Sequence, residues 1–101
     1  MSKLVRDNIP DIIKRNGGTC ATRILTDAEY LQALDAKLDE EIAEYHESHS
    51  VEELADLLEV IYAVAAARGY TAEALDNVRS EKAAQRGRFE KRIFLVLEED
   101  E

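Results

Sequence analysis

The sequence has little cysteine, proline or glycine and no tryptophan: one Cys, one Pro and four Gly in 101 residues. A single thiol, Cys20, excludes an intrachain disulfide. The longest apolar run, residues 60–67, is far shorter than the roughly 18–20 residues that cross a bilayer, so a membrane partner is not expected. The first residues lack the apolar core of a secretory signal. We therefore expect a cytoplasmic protein.

The sequence also lacks internal repeats, linkers and low-complexity tracts, which predicts one domain over residues 1–101. Its composition, 46% hydrophobic and 35% charged, is typical of a folded protein. No GxxxxGK motif occurs, which excludes a P-loop mechanism. The last four residues, 98–101, are all acidic and are expected to form a solvated tail. A chain this short buries only a modest part of its surface alone, so a homodimer or tetramer is expected, with pairing through Ile61 and Val64.

Charges of opposite sign are separated along the chain. Residues 1–26 carry five bases against two acids, residues 27–59 carry twelve acids against Lys37, and residues 79–92 carry six bases against two acids. The acidic middle argues against duplex nucleic acid as a partner, because that affinity comes from Lys and Arg neutralising phosphates. A divalent cation is the better candidate, and the basic segments are suited to grip a small polyphosphate if the fold brings them near.

Local signals predict a mainly α protein with two short strands. Pro10 favours a short helix over residues 10–14, ended by glycines at 17 and 18. Apolar periodicity predicts three longer helices. We expect them over residues 27–48, 51–68 and 72–85, with N-caps at Thr26, Ser50 and Thr71. Residues 20–25 and 92–97 alternate loosely, with content suited to strands, and are expected to pair with each other.

Acidic residues flank the apolar stripes of the two central helices. Glu41 and Glu44 are three positions apart, and so are Glu53 and Asp56, so each pair can share one ligand. If the helices pack antiparallel through a short loop at residues 49–50, the two pairs approach each other. Such crowded carboxylates repel unless a proton or a hard cation bridges them, and oxygen ligands favour Mg²⁺ or Mn²⁺. The pattern therefore predicts a metal site.

Two simpler interpretations compete with this one. Acidic residues beside a core stripe usually form only a solvated face. Glu53 also follows Ser50 at capping-box spacing, so its carboxylate can instead serve a backbone amide. Against a plain solvated face, the acidic segment has almost no lysine or arginine to balance its charge.

The acidic motifs and their flanking blocks resemble a known family. EExxE at residues 40–44 and ExxD at residues 53–56 resemble the signature of the MazG-like all-alpha nucleoside triphosphate pyrophosphatases. KLVRDNIPDII at 3–13, EELADLLEVIYA at 52–63 and RGRFEKRIFL at 86–95 resemble its compact phosphoribosyl-ATP pyrophosphohydrolase-like subgroup. The similarity spans nearly the whole chain and implies an oligomeric helical bundle.

The resemblance also implies an activity and its residues. The expected reaction is Mg²⁺-dependent hydrolysis between the α and β phosphates of a nucleoside triphosphate, in nucleotide house-cleaning. The implied metal ligands are Glu41, Glu44, Glu53 and Asp56. Catalytic roles are implied for Glu40 and Glu41, and substrate binding for Lys82, Arg86 and Arg88. A catalytically silent nucleotide-binding or regulatory module of the same fold is the alternative.

Overall fold

The structure is a computed structural model that describes residues 2–96, and within these residues it is all-helical. The chain forms α1 (Ile9–Arg15), α2 (Asp27–Ser48), α3 (Val51–Ala67) and α4 (Ala72–Arg86). The expected mainly α class is therefore confirmed. The expected acidic tail at 98–101 lies outside the described residues. None of the described helices is both long enough and apolar enough to cross a bilayer.

The longer helices begin at hydroxyl caps, as the sequence predicts. Thr26 accepts a hydrogen bond from the amide of Glu29 at 3.3 Å, and Ser50 accepts one from the amide of Glu53 at 3.2 Å. Thr71 does the same for Ala74 at 3.0 Å. Each cap satisfies a backbone donor that has no partner inside its helix. All three predicted N-caps are confirmed.

Helices α2 and α3 form a hairpin joined by two residues, His49 and Ser50. His49 takes the left-handed conformation, φ 54°, and its amide donates to the carbonyl of Tyr45 at 2.7 Å, which ends α2. The chain reverses there, so α3 runs back along α2, and these two helices form the main packed unit. The buried apolar residues are Leu34 of α2 with Val60 and Ala65 of α3.

The other two helices pack less extensively than this hairpin. Helix α4 contacts α3 but not α2. The described chain measures 62 × 31 × 28 Å, with a radius of gyration of 18.3 Å. A compact chain of about 100 residues has a radius near 13 Å. The described part of the chain is therefore elongated and leaves much apolar surface exposed to water.

The prediction of two paired strands is wrong for the described residues. Residues 20–25 and 92–96 are irregular, and no backbone hydrogen bond joins them; Leu97 lies outside the described residues. A strand requires a neighbour to satisfy its amides and carbonyls, and local β propensity cannot supply one. Ile24 is 95% exposed, and Arg92 has φ 59°, which interrupts an extended segment.

Candidate metal centre

The α2–α3 hairpin brings five acidic side chains together. On α2, one oxygen from each of Glu40, Glu41 and Glu44 lies within 4.8 Å of the others. Across the two helices, Glu41 meets Glu53 and Asp56 with the same spacing. Glu41 belongs to both groups. We call these residues the carboxylate cluster: Glu40, Glu41, Glu44, Glu53 and Asp56.

The centre of the carboxylate cluster is withdrawn from water. Glu41 is 5% exposed, and no other charged side chain among the described residues is buried. One oxygen of Glu41 and one of Glu53, both Oε2, are buried without a hydrogen-bond partner. A buried polar atom without a partner is costly, and a buried charge more so. These two oxygens fit a hard cation, which takes oxygen ligands and would neutralise both charges.

Glu53 responds to this environment through its pKa. Desolvation and, after it, the adjacent carboxylates of Glu41 and Glu44 together raise the pKa of Glu53 from 4.5 to about 7. Like charges in close contact cannot all ionise freely. A proton or a cation is therefore favoured between Glu53 and its neighbours.

Glu53 is not a helix cap. The Ser50 side chain caps α3, but the Ser50 amide donates to the hydroxyl of Ser48 at 3.2 Å rather than to Glu53. The Glu53 carboxylate instead faces Glu41 and Asp56. The capping-box interpretation of this residue is therefore wrong, and its carboxylate is free to serve as a ligand.

Three basic side chains contact the carboxylate cluster. Arg6 Nη2 lies 2.7 Å from Asp56 Oδ1, in a contact between residues fifty positions apart. Lys3 Nζ lies 3.5 Å from Glu40 Oε1. These residues come from the basic N-terminal segment, so the fold brings that segment to the acidic middle of the chain.

Lys37 is the third basic contact and comes from α2 itself. Its Nζ lies 3.3 Å from Glu40 Oε1 and 3.4 Å from Glu41 Oε1. Burial lowers the pKa of Lys37, but hydrogen bonds and charges from the two glutamates outweigh it, so the pKa is raised above 10.5. Lys37 therefore stays cationic at neutral pH.

A cavity of about 560 Å³ opens beside the carboxylate cluster. Its charged lining consists of two bases and four acids: Arg6, Lys37, Asp7, Glu41, Asp56 and Glu59. Its other walls are largely apolar and come from the N-terminal segment, α1, α2 and α3. The volume is in the range of small-molecule sites, and the wall chemistry combines charged groups with apolar surface. The cavity is suited to the apolar part of a ligand, whereas an anionic part would need Arg6, Lys37 or a cation held by the carboxylates.

The predicted substrate-binding residues lie elsewhere in the protomer. Lys82 and Arg86 are exposed on α4, and Arg88 pairs with Glu90 at 3.7 Å instead of with the cluster. The bases that do reach the cluster were not predicted: Lys3, Arg6 and Lys37. The excess of positive charge in residues 1–26 and the isolation of Lys37 among twelve acids were the available signals.

The fold and the cluster define an all-helical protein with acidic groups that could hold a metal ion. No protein-family model matches the sequence, and no solved structure matches it. The chain is similar to an uncharacterised protein of Mycolicibacterium smegmatis (strain ATCC 700084 / mc(2)155), with 59% identity over 44 residues. That match spans 44% of this chain and 45% of the relative, less than half of each.

Proposed function

We propose that this chain is a Mg²⁺-dependent nucleotide pyrophosphohydrolase that cleaves between the α and β phosphates of a nucleoside triphosphate. The products are a nucleoside monophosphate and pyrophosphate. The observation that carries the proposal is the convergence of Glu41, Glu53 and Asp56 from two helices, with ligand oxygens within 4.8 Å. The resemblance to the MazG-like family, in the same acidic motifs, supports the reaction type.

The metal ligands in this proposal are the four carboxylates that the resemblance implies. Glu41 and Glu53 each carry a buried oxygen without a partner, which favours their role as ligands. Glu44 and Asp56 flank them. Bound Mg²⁺ would neutralise the polyphosphate and lower the pKa of a coordinated water. Four carboxylates are more than one Mg²⁺ usually takes from a protein. The four carboxylates would therefore bind two Mg²⁺ ions between them, or one of the four would not coordinate the metal.

The chain's other residues have separate roles. Glu40 is proposed to orient or deprotonate the attacking water, after exchange of its contacts with Lys3 and Lys37. Arg6 and Lys37 line the cavity beside the carboxylates and are suited to phosphate oxygens. The apolar walls of the same cavity would receive the nucleoside.

A pyrophosphate-release screen over standard and modified nucleoside triphosphates, with Mg²⁺ or with EDTA, tests the proposal. We expect release only with Mg²⁺, reduced at least about 100-fold by Glu41→Gln or Asp56→Asn, because each removes a ligand charge. The matched control is Glu47→Gln, an exposed acid on the same helix as Glu41, which should leave the rate unchanged. Absence of release by the wild-type protein across the panel would refute the proposed activity.

A second candidate is a catalytically silent nucleotide-binding or regulatory module. The observation that favours it is the ion pairing already present within the chain, where Arg6 and Lys37 neutralise Asp56 and Glu41 at 2.7 and 3.4 Å. A cluster balanced in this way has less need of a metal. Calorimetry with the same nucleotides separates the candidates, because binding without pyrophosphate release supports the silent module.

A further inference from the structure

The chain after α4 exposes a run of large apolar side chains. We call residues 88–96 the C-terminal arm. Phe89 is 99% exposed and Phe94 is 87% exposed, and Ile93, Leu95 and Val96 are at least three-quarters exposed. Within the described residues, the backbone of the arm hydrogen-bonds only to itself, from the Arg92 amide to the Phe89 carbonyl at 3.4 Å. Contiguous exposed apolar surface of this kind marks an interaction site.

A second unpartnered apolar surface lies on α3. Val51, Leu54, Leu58 and Tyr62 are all exposed and recur at helical spacing along one side of the helix; we call them the α3 stripe. The predicted interface residues Ile61 and Val64 are only half-buried neighbours of this face. At 1.5 Å per residue the stripe is roughly 16 Å long.

We propose that the C-terminal arm of one copy packs along the α3 stripe of a second copy, and that the second arm packs back in the same way. Each copy carries both surfaces, so a two-fold exchange covers all four at once and closes the assembly as a dimer. The described chain is elongated, with a radius of gyration of 18.3 Å, and leaves space beside the hairpin for such a partner.

Charge supports the same pairing. The arm carries Arg88, Lys91 and Arg92 against one acid, Glu90, whereas the exposed acids Glu52 and Glu59 lie beside the stripe on α3. The twelve acids of residues 27–59 repel the same region of another copy, which disfavours direct packing of one α3 stripe on another. The net positive arm is therefore a better match for the acidic hairpin than a second α3 stripe is.

Length and area are also consistent with the exchange. Beyond the turn at residues 89–92, the segment from Ile93 to Val96 spans at most roughly 11 Å when extended, which fits within the length of the stripe. Two buried phenylalanines withdraw roughly 300–500 Å² per arm. Two arms and the surfaces that receive them therefore approach the roughly 1,200–2,000 Å² that a stable interface buries.

Sedimentation velocity of the full chain provides the first test. We expect a dimer whose dissociation constant rises at least about thirtyfold in either Phe94→Glu or Leu58→Glu, since each puts a charge into the buried contact. The control is Ile24→Glu, an apolar residue that is 95% exposed but lies outside both surfaces. Phe94 lies outside the described helices and is 87% exposed, so we expect its substitution to leave the helices intact, which circular dichroism checks. A wild-type monomer at micromolar concentration would overturn the proposal.

Disulfide trapping decides which surfaces meet. In a Cys20→Ser background, the single variants Phe94→Cys and Leu58→Cys are mixed and oxidised. We expect the mixed 94–58 disulfide between chains to form at least about tenfold faster than either homotypic disulfide, because only the mixed pair lies within bonding distance. If the 58–58 disulfide predominates, the proposal is overturned, and the dimer forms by packing of one α3 stripe on the other. A 94–58 disulfide within one chain of the double variant would show instead that the arm folds back on its own hairpin.

Discussion

The two helices of the hairpin begin with the same sequence pattern, a hydroxyl residue followed three positions later by Glu, yet the two glutamates differ. At α2, Glu29 closes a capping box with Thr26 and receives two hydrogen bonds of 3.2 Å from Arg23. At α3, Ser50 caps the helix, but the Glu53 carboxylate joins the carboxylate cluster.

Their pKa values shift in opposite directions. The hydrogen bond from Arg23, followed by those from Thr26, lowers the pKa of Glu29 to about 2. Desolvation, followed by the neighbouring carboxylates, raises the pKa of Glu53 to about 7. The hydroxyl cap is similar at both helices, but Glu29 also meets a cation and the Thr26 amide, whereas Glu53 is desolvated and faces like charges. One glutamate is structural, and the other is available to a metal.

The largest expected effect separates these two glutamates by activity. Glu53→Gln should reduce Mg²⁺-dependent pyrophosphate release at least about 100-fold, because it removes a ligand charge from the centre of the site. Glu29→Gln should leave the rate unchanged, since Glu29 contacts Arg23 and Thr26 rather than the cluster. Initial rates at saturating nucleotide measure both. Equal losses in the two variants would mean that Glu53 acts through helix stability alone.

The sequence predicts one of these helix starts better than the other. The hydroxyl caps at Thr26, Ser50 and Thr71 could be predicted because a cap is satisfied within three residues of chain. The acidic pairs on α2 and α3 could be predicted from helical spacing and a short connection between the helices. Whether Glu53 closes a box or joins the cluster depends on neighbours across the hairpin, which the local pattern does not contain.

Contacts between distant parts of the chain account for the rest. The Arg6–Asp56 pair joins residues fifty positions apart, and no local signal selects Arg6 over the bases of α4. The absent strands have the same cause, because residues 20–25 and 92–96 have β-like composition but no partner within the described residues. An ion pair or a strand pair requires a second segment of chain, and the composition of the first segment does not identify it.

The next largest expected effect tests whether a basic residue affects nucleotide binding through direct contact or only through its charge. Arg6→Ala should raise KM for the nucleotide at least about tenfold, because a charge-assisted phosphate contact is worth roughly 1.5–3 kcal/mol. Arg86→Ala, an equal charge change at an exposed site on α4, should change KM less than about twofold. Steady-state kinetics at fixed free Mg²⁺ measures both. A larger effect of Arg86→Ala would support the substrate role that the resemblance implies, supplied by a neighbouring copy.

The smallest expected effect is a pair of opposite pH dependences in metal-free protein. The folded-state pKa of Glu53, about 7, lies above its ordinary value of 4.5. The folded state therefore holds a proton that the unfolded chain releases, and the free energy of unfolding falls as pH rises from 4.5 to 7. The folded-state pKa of Glu29, about 2, lies below 4.5, so its stabilising contribution is lost as pH falls from 4.5 towards 2.

Thermal unfolding in EDTA across these two windows measures both contributions. Glu53→Gln should remove the decline between pH 4.5 and 7, and Glu29→Gln should flatten the decline on the acid side. Both changes should amount to a few degrees or less, because solvent screens partly exposed charges. A Glu53→Gln variant with the same slope as wild type between pH 4.5 and 7 would contradict the crowding of Glu53 by its neighbours.

The most direct test of the carboxylate cluster as a metal centre is a Mg²⁺ titration of the thermal midpoint, which needs no substrate. At about 100 times the dissociation constant, binding adds about 2.7 kcal/mol to the free energy of unfolding and raises the midpoint by roughly 10–20 °C. We predict this rise for the wild-type protein and for Glu29→Gln, and its loss in Glu53→Gln and Glu41→Gln. A wild-type midpoint that does not move with Mg²⁺, or a rise that survives in Glu53→Gln, would contradict a metal held between α2 and α3.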